Sequence, residues 1–141
     1  MAALDGGVVT TPSEQPTELR LATVHREISD LIMRYEPDAL ALEELYFGQN
    51  ASSAFAVGQA RGVVMLAAGQ QSIPCKGYTP QQVKSAVCGS GRAPKDQVAR
   101  MVQSLLALPE LPGPDHAADA LAVALCHLSR APLADAMRAA S

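Results

Sequence analysis

Between Thr17 and Tyr35 apolar residues return every three or four positions, at Leu19, Leu21, Val24, Ile28, Leu31, Ile32 and Tyr35, with charges between them. That spacing gathers them on one face of an α-helix. The helix is predicted to stop at Glu36-Pro37, because the residue before a proline is pushed out of helical geometry. Ala39 to Leu42 is then a short apolar run, predicted as a buried strand that ends in Glu43-Glu44. Upstream, Val8-Val9-Thr10-Thr11 follow two glycines and read as a strand after a turn, with residues 11–16 as loop and helix entry.

A second helix is predicted from about Asn50 to Ala68, rich in Ala, Gly and Val. Gly58 and Gly62, on adjacent turns, would let another backbone approach closely. Ser72 to Lys76 reads as a strand. Thr79 is placed as the N-cap and Pro80 as the first residue of a helix that ends at Gly89. Residues 89–94 form a Gly-rich loop, and Lys95 to Leu106 a further helix with Val98, Met101, Val102, Leu105 and Leu106 apolar. Pro109 to Pro114 is a linker. Asp115 to Ser129 is the last helix, followed after Pro132 by a frayed short one. Strand, helix, strand, helix, strand and then helices is an α/β pattern on one mixed sheet. It predicts one domain over residues 1–130 and a C-terminal tail over 131–141.

Composition narrows the class. With 48% apolar and 18% charged residues in 141, the chain has the makings of a folded core and not of a disordered segment. No apolar run approaches the roughly 18–20 residues that cross a bilayer. The N-terminus lacks the pattern of a secretory signal, which leaves the cytoplasm as the default. Cys75, Cys88 and Cys126 have neither disulfide-framework nor zinc spacing and read as small buried side chains. The net charge of −3 conceals a strong asymmetry. Residues 1–44 carry three basic against nine acidic side chains (−6), residues 45–109 six basic against Asp96 alone (+5), and residues 110–141 a balance of −2. A basic middle between acidic ends suits a protein that holds a polyanion in one place and cations in another.

Glu43 directly follows an apolar strand, and the carboxyl end of a central strand is where α/β proteins usually bind ligands. His116 and Asp119 stand three apart at the start of a helix and so share a side. Together these three would suit a hard divalent cation, Mg²⁺ or Mn²⁺, with the imidazole better tolerated by manganese. Each also has a plainer reading: Glu43 as a strand exit, His116 and Asp119 as solvated first-turn residues, and Asp115 as an N-cap. Tyr46 and Phe47 could wedge or stack against bases, or fill a core corner. Lys84, Arg92 and Lys95 sit where phosphate contacts would be made, although solvated surface cations look the same.

Three long stretches then acquire a common meaning. ALALEELYFGQNASSAFAVGQARGVVMLAA (residues 39–68) resembles the central signature of RuvC-type Holliday-junction resolvases. TPQQVKSAVCGSGRAPKDQVARMV (79–102) resembles their basic helix-loop-helix, and DHAADALAVALCH (115–127) their last helix. The resemblance runs from about Ala2 to His127. It implies an RNase H-like fold, a homodimer, and a divalent-metal site that makes paired symmetric nicks at four-way junctions, in recombination and DNA repair. The partners it implies are a branch-migration motor and its junction-binding subunit, of the RuvA–RuvB type. By resemblance the catalytic and metal-binding residues fall on Glu43, His116 and Asp119, the base-contacting aromatics on Tyr46 and Phe47, and the lysines on Lys84 and Lys95.

Such proteins open with a strand reading roughly G-[IV]-D-P-G, and no such segment precedes Met1-Ala2-Ala3 here; Asp5 matches a later turn. The expectation is exposed strand edges and a metal site short of one bridging carboxylate, so that this chain cleaves poorly or not at all. A start codon assigned too late, or a true remnant, would each produce this. Three readings therefore stand beside the nuclease: a junction-binding and dimerising module without catalysis, another RNase H-like nuclease of the YqgF type, and a plain interaction protein.

Overall fold

The computed structural model describes residues 1–44, 51–113 and 115–140, with only the backbone described for 51, 52 and 131–140. Seven elements follow in order: α1 (Thr17–Tyr35), β1 (Leu40–Glu43), α2 (Ala51–Gln70), β2 (Cys75–Tyr78), α3 (Pro80–Cys88), α4 (Lys95–Leu105) and α5 (Asp115–Ala140). They fall into two compact units, one formed by Val9–Lys76 and the other by Met1–Val8 with Gly77–Ser141.

In the Val9–Lys76 unit, α1 packs on α2. The seam is Ile32 against Ala67 and Ala68, all buried, with Ile28, Leu40, Ile73 and Cys75 around them. The alanines let the helices come close enough for Ile32 to be covered, a burial worth roughly 1.5–3 kcal/mol. Polar contacts fix the pairing. His25 and Gln70 join through Nε2 and Oε1 at 2.7 Å, and the Gln71 side chain donates to the Ser29 carbonyl at 3.3 Å. The α1 helix ends where the proline predicted it would, on Glu36 in a left-handed conformation with φ of 46°.

The sheet described has two parallel strands, β1 beside β2, joined through α2 as the crossover. Its second strand begins later than Ser72. The amides of Gln71, Ser72 and Ile73 still bond back to the end of α2, on Ala68 and Gly69 carbonyls, and Pro74 has no N–H to give. The strand therefore begins at Cys75, just after Pro74, whose carbonyl accepts from the Leu40 amide at 2.9 Å. Two further expectations are corrected. No strand forms over Val8–Thr10; all ten opening residues are exposed, and a strand without a ladder partner has nothing to satisfy its backbone. Nor, among the described residues, does another backbone pack against Gly58 or Gly62, where an added Cβ would meet nothing within 4 Å.

In the other unit α3, α4 and α5 pack on one another. Val83 and Val87 of α3, Val98 and Val102 of α4, and Ala118, Ala122, Val123 and Cys126 of α5 supply the core, with Val102 and Cys126 fully enclosed. A reciprocal cap starts α3. Thr79 Oγ1 accepts from the Gln82 amide at 3.1 Å, and Gln82 Oε1 accepts from the Thr79 amide at 2.9 Å. Gly89 ends it at φ of 78°, a conformation that costs an L-residue about 1–2 kcal/mol. Thr79→Ala is expected to lower unfolding free energy by about 1 kcal/mol in urea denaturation, and an unchanged midpoint would contradict the cap's role. The last helix is one continuous element to Ala140 instead of stopping near Ser129. Residues 131–140 contain five alanines, whose helix propensity carries the chain across Pro132.

Candidate metal and nucleic-acid site

Asp115 and Asp119 stand one turn apart on α5, and α4 begins with Lys95 facing them. The Lys95 ammonium lies 3.8 Å from an Asp115 carboxylate oxygen and 3.6 Å from one of Asp119. Two acids at i and i+4 repel each other. The helix N-terminus offsets part of that repulsion, and the Lys95 ammonium, near both acids, offsets more of it. The arrangement is open: the Lys95 side chain is 64% exposed, Asp115 83% and Asp119 40%. Asp115, read from sequence as an N-cap, is thus the first helical residue and a partner of Lys95. Its spacing to Asp119 was the available signal; the lysine, twenty residues upstream, gave none.

His116 is exposed on the same first turn. Glu43 closes β1 and is exposed, in the Val9–Lys76 unit, whereas His116 and Asp119 belong to the other. Among the described residues, no three His, Cys, Asp or Glu side chains form a group able to hold a metal ion. The carboxylates of Asp115 and Asp119 are hard oxygen donors of the type a divalent cation takes, and here their partner is the Lys95 ammonium.

Of the basic residues, Lys84 is half-buried on α3, and Arg92 is exposed in the loop between α3 and α4. Arg100 is tied to Asp96 at 2.9 Å. Tyr46 and Phe47 lie outside the described residues.

Further along α5 is a contact that sequence reasoning missed. The Tyr78 hydroxyl and His127 Nδ1 lie 2.6 Å apart, with the rings edge to face at 5.8 Å. Tyr78 ends β2 and His127 rides on α5, so the pair anchors the helix that carries the acids. Burial raises the phenol above its ordinary range, helped by Cys126 and opposed by Arg130. Burial also raises the Cys88 thiol, and that of Cys126, where Arg130 pulls partly the other way. Of the three cysteines expected to be buried, Cys126 is buried, whereas Cys75 and Cys88 are only half-buried.

Comparison with known structures gives the class first. The fold matches that of Thermus thermophilus RuvC, with a TM-score of 0.89 and 40% identity over 94% of this chain and 80% of that one. It matches equally the structure of T. thermophilus RuvC in complex with Holliday junction substrate, at a TM-score of 0.91 and 40% identity. This is the α/β, RNase H-like architecture expected from the sequence. The family model for crossover junction endodeoxyribonuclease RuvC matches residues 1–127. Relatives of that name in Thermomicrobium roseum and Moorella thermoacetica are 53% and 55% identical, over 90% and 88% of this chain and 78% and 74% of their own lengths. The chain belongs to the RuvC family of crossover junction endodeoxyribonucleases.

Proposed function

We propose that this protein is a structure-specific endonuclease that resolves four-way DNA junctions by paired symmetric nicks, serving recombination and repair. The observation that carries the reading is the match over 94% of the chain to a RuvC structure with its Holliday junction substrate. Glu43, His116 and Asp119 are the catalytic and metal-holding residues of the proposal, with Mg²⁺ the cation in the cell and Mn²⁺ able to replace it. Bound there, divalent cations would polarise a scissile phosphate and activate an attacking water.

The chain's own residues do the positioning. Lys84, Arg92 and Lys95 hold phosphate oxygens and so set where along a strand the acids meet the backbone. Tyr46 and Phe47 stack on bases opened at the branch point. The protein acts as a homodimer, because a twofold pair presents two equivalent sites to a junction whose arms are twofold related. A surface suited to such pairing exists on α2. Phe55 and Leu66, 68% and 54% exposed, lie on one face three turns apart, with the open Gly62 between them. No helix among the described residues is long and apolar enough to cross a membrane. Cytoplasmic action on DNA beside a branch-migration motor and a junction-binding subunit of the RuvA–RuvB type completes the proposal.

The test is binding of a four-way junction and of a linear duplex of the same sequence in EDTA, repeated over a range of salt. Tighter binding of the junction supports the reading, and equal binding contradicts it. The doubly substituted Lys84→Gln, Arg92→Gln protein is expected to show a salt slope shallower by roughly one to two, the loss of two phosphate contacts. An unchanged slope removes those side chains from the DNA surface.

A further inference from the structure

We propose that a cavity at the carboxyl ends of α1 and α2 is a docking site for a protein partner, which enters it with a lysine or arginine beside an apolar side chain. The inference does not depend on the nuclease reading, and every residue it uses belongs to the Val9–Lys76 unit. The cavity measures about 340 Å³ and is lined by Ile32, Met33, Glu36, Pro37, Gln71 and Ile73. That volume is within the range of pockets that take a ligand. Four of the six lining residues are apolar, and Met33 is left 60% exposed.

The polar groups at this place are acceptors, and the sequence says why. Each helix runs out ahead of a proline. Four residues beyond Met33 stands Pro37, and four beyond Gln70 stands Pro74, so neither carbonyl is offered the N–H that would continue the helix. Carbonyls in the last turn of a helix carry partial negative charge and favour a cation. Glu36 adds a full negative charge and makes no ion pair among the described residues. Gln71 donates its amide to the Ser29 carbonyl at 3.3 Å, which leaves its acceptor end. The last turn of α2 holds no basic residue. Arg34, in the last turn of α1, lies over the Tyr35 ring, 5.9 Å from its centre.

The backbone points the same way. Of the three non-glycine residues with left-handed backbone among those described, Glu36 (φ 46°) and Ser72 (φ 59°) fall here. Glycine or asparagine is the usual choice after a helix, so folding alone does not account for a glutamate at position 36. Conflicts of this kind persist where binding requires them. An apolar slot edged by acceptors suits a lysine or arginine, whose stem lies along hydrocarbon while its head meets carbonyls and carboxylate. The same groups repel a phosphate, so the occupant is a polypeptide.

The test is a titration of the isotopically labelled full chain with capped peptides, followed through its amide resonances. Gly-Leu-Lys-Leu-Gly is expected to shift Met33, Glu36, Gln71 and Ile73 saturably, and Gly-Leu-Glu-Leu-Gly and Gly-Gly-Lys-Gly-Gly to leave them in place. Glu36→Asn is expected to weaken binding about two- to five-fold, the range an exposed ion pair spans. Its melting temperature should stay level or rise, because asparagine tolerates the left-handed backbone. Glu27→Gln, which removes the same charge earlier on α1, should bind as the unsubstituted chain does. No saturable shift at those residues, or equal shifts with either control peptide, overturns the proposal. So does unchanged affinity in Glu36→Asn, or equal weakening by Glu27→Gln, which would reduce the effect to net charge. A lower melting temperature in Glu36→Asn makes the glutamate structural and overturns it too. The same shifts produced by Mg²⁺ alone would give the cavity to a metal ion and remove the partner.

Discussion

Asp119→Asn is expected to slow metal-dependent nicking of a four-way junction at least about 100-fold, the usual consequence of removing one preorganised charged group from a reacting centre. The substitution changes one carboxylate oxygen to an amide and keeps the shape of the side chain. At 40% exposure Asp119 is not a core residue, and its ion pair with Lys95, at 3.6 Å, is itself exposed. Such pairs contribute about 1 kcal/mol or less. The fold should therefore survive, as should junction binding in EDTA, because Lys84 and Arg92 are untouched. Glu43→Gln is expected to behave alike if the strand end and the helix start serve one centre. The comparison is made under single-turnover conditions, so that slow cutting is still seen. A loss below ten-fold would take Asp119 out of the catalytic role.

Val102→Asp is expected to abolish cooperative unfolding altogether. Val102 of α4 is fully enclosed, and among the described residues no polar side chain is buried with it to accept a charge. A carboxylate without a partner in such a place costs several kcal/mol even after it protonates or draws water in. Domains of this size are stable by only about 5–15 kcal/mol in all. Circular dichroism during heating should show a broad, non-cooperative change and loss of helix signal at lower temperature. A sharp transition within a few degrees of the parent would mean that the interior described around α4 is wrong.

What the sequence disclosed follows the range of the forces involved. The bounds of α1, α3 and α4 were readable because proline stops, the Thr79–Gln82 cap and Gly89 act within a turn of themselves. Val8–Thr10 misled because strand character depends on a partner elsewhere in the chain, and Cys75 replaced Ser72 as a strand start because the end of α2 reaches back for three amides. At the site, residue type and position after an apolar strand marked Glu43, and helix spacing marked His116 and Asp119. Lys95 was marked for phosphate. Its closeness to Asp115 and Asp119 was hidden, because packing of α4 on α5, and no local pattern, creates it. The Tyr78–His127 anchor, forty-nine residues apart, was hidden for the same reason.

The proposed assignment of Glu43, His116 and Asp119 as cation ligands can be tested without any DNA cleavage. Fe²⁺ bound in place of the native ion, with ascorbate and peroxide, cuts the polypeptide wherever the backbone lies close to the metal. The expected outcome is two sets of cuts in one chain, near Glu43 and near residues 115–119, both suppressed by excess Mg²⁺ and by Asp119→Asn. Cuts confined to one of those segments, or spread along the chain without regard to either, would contradict it.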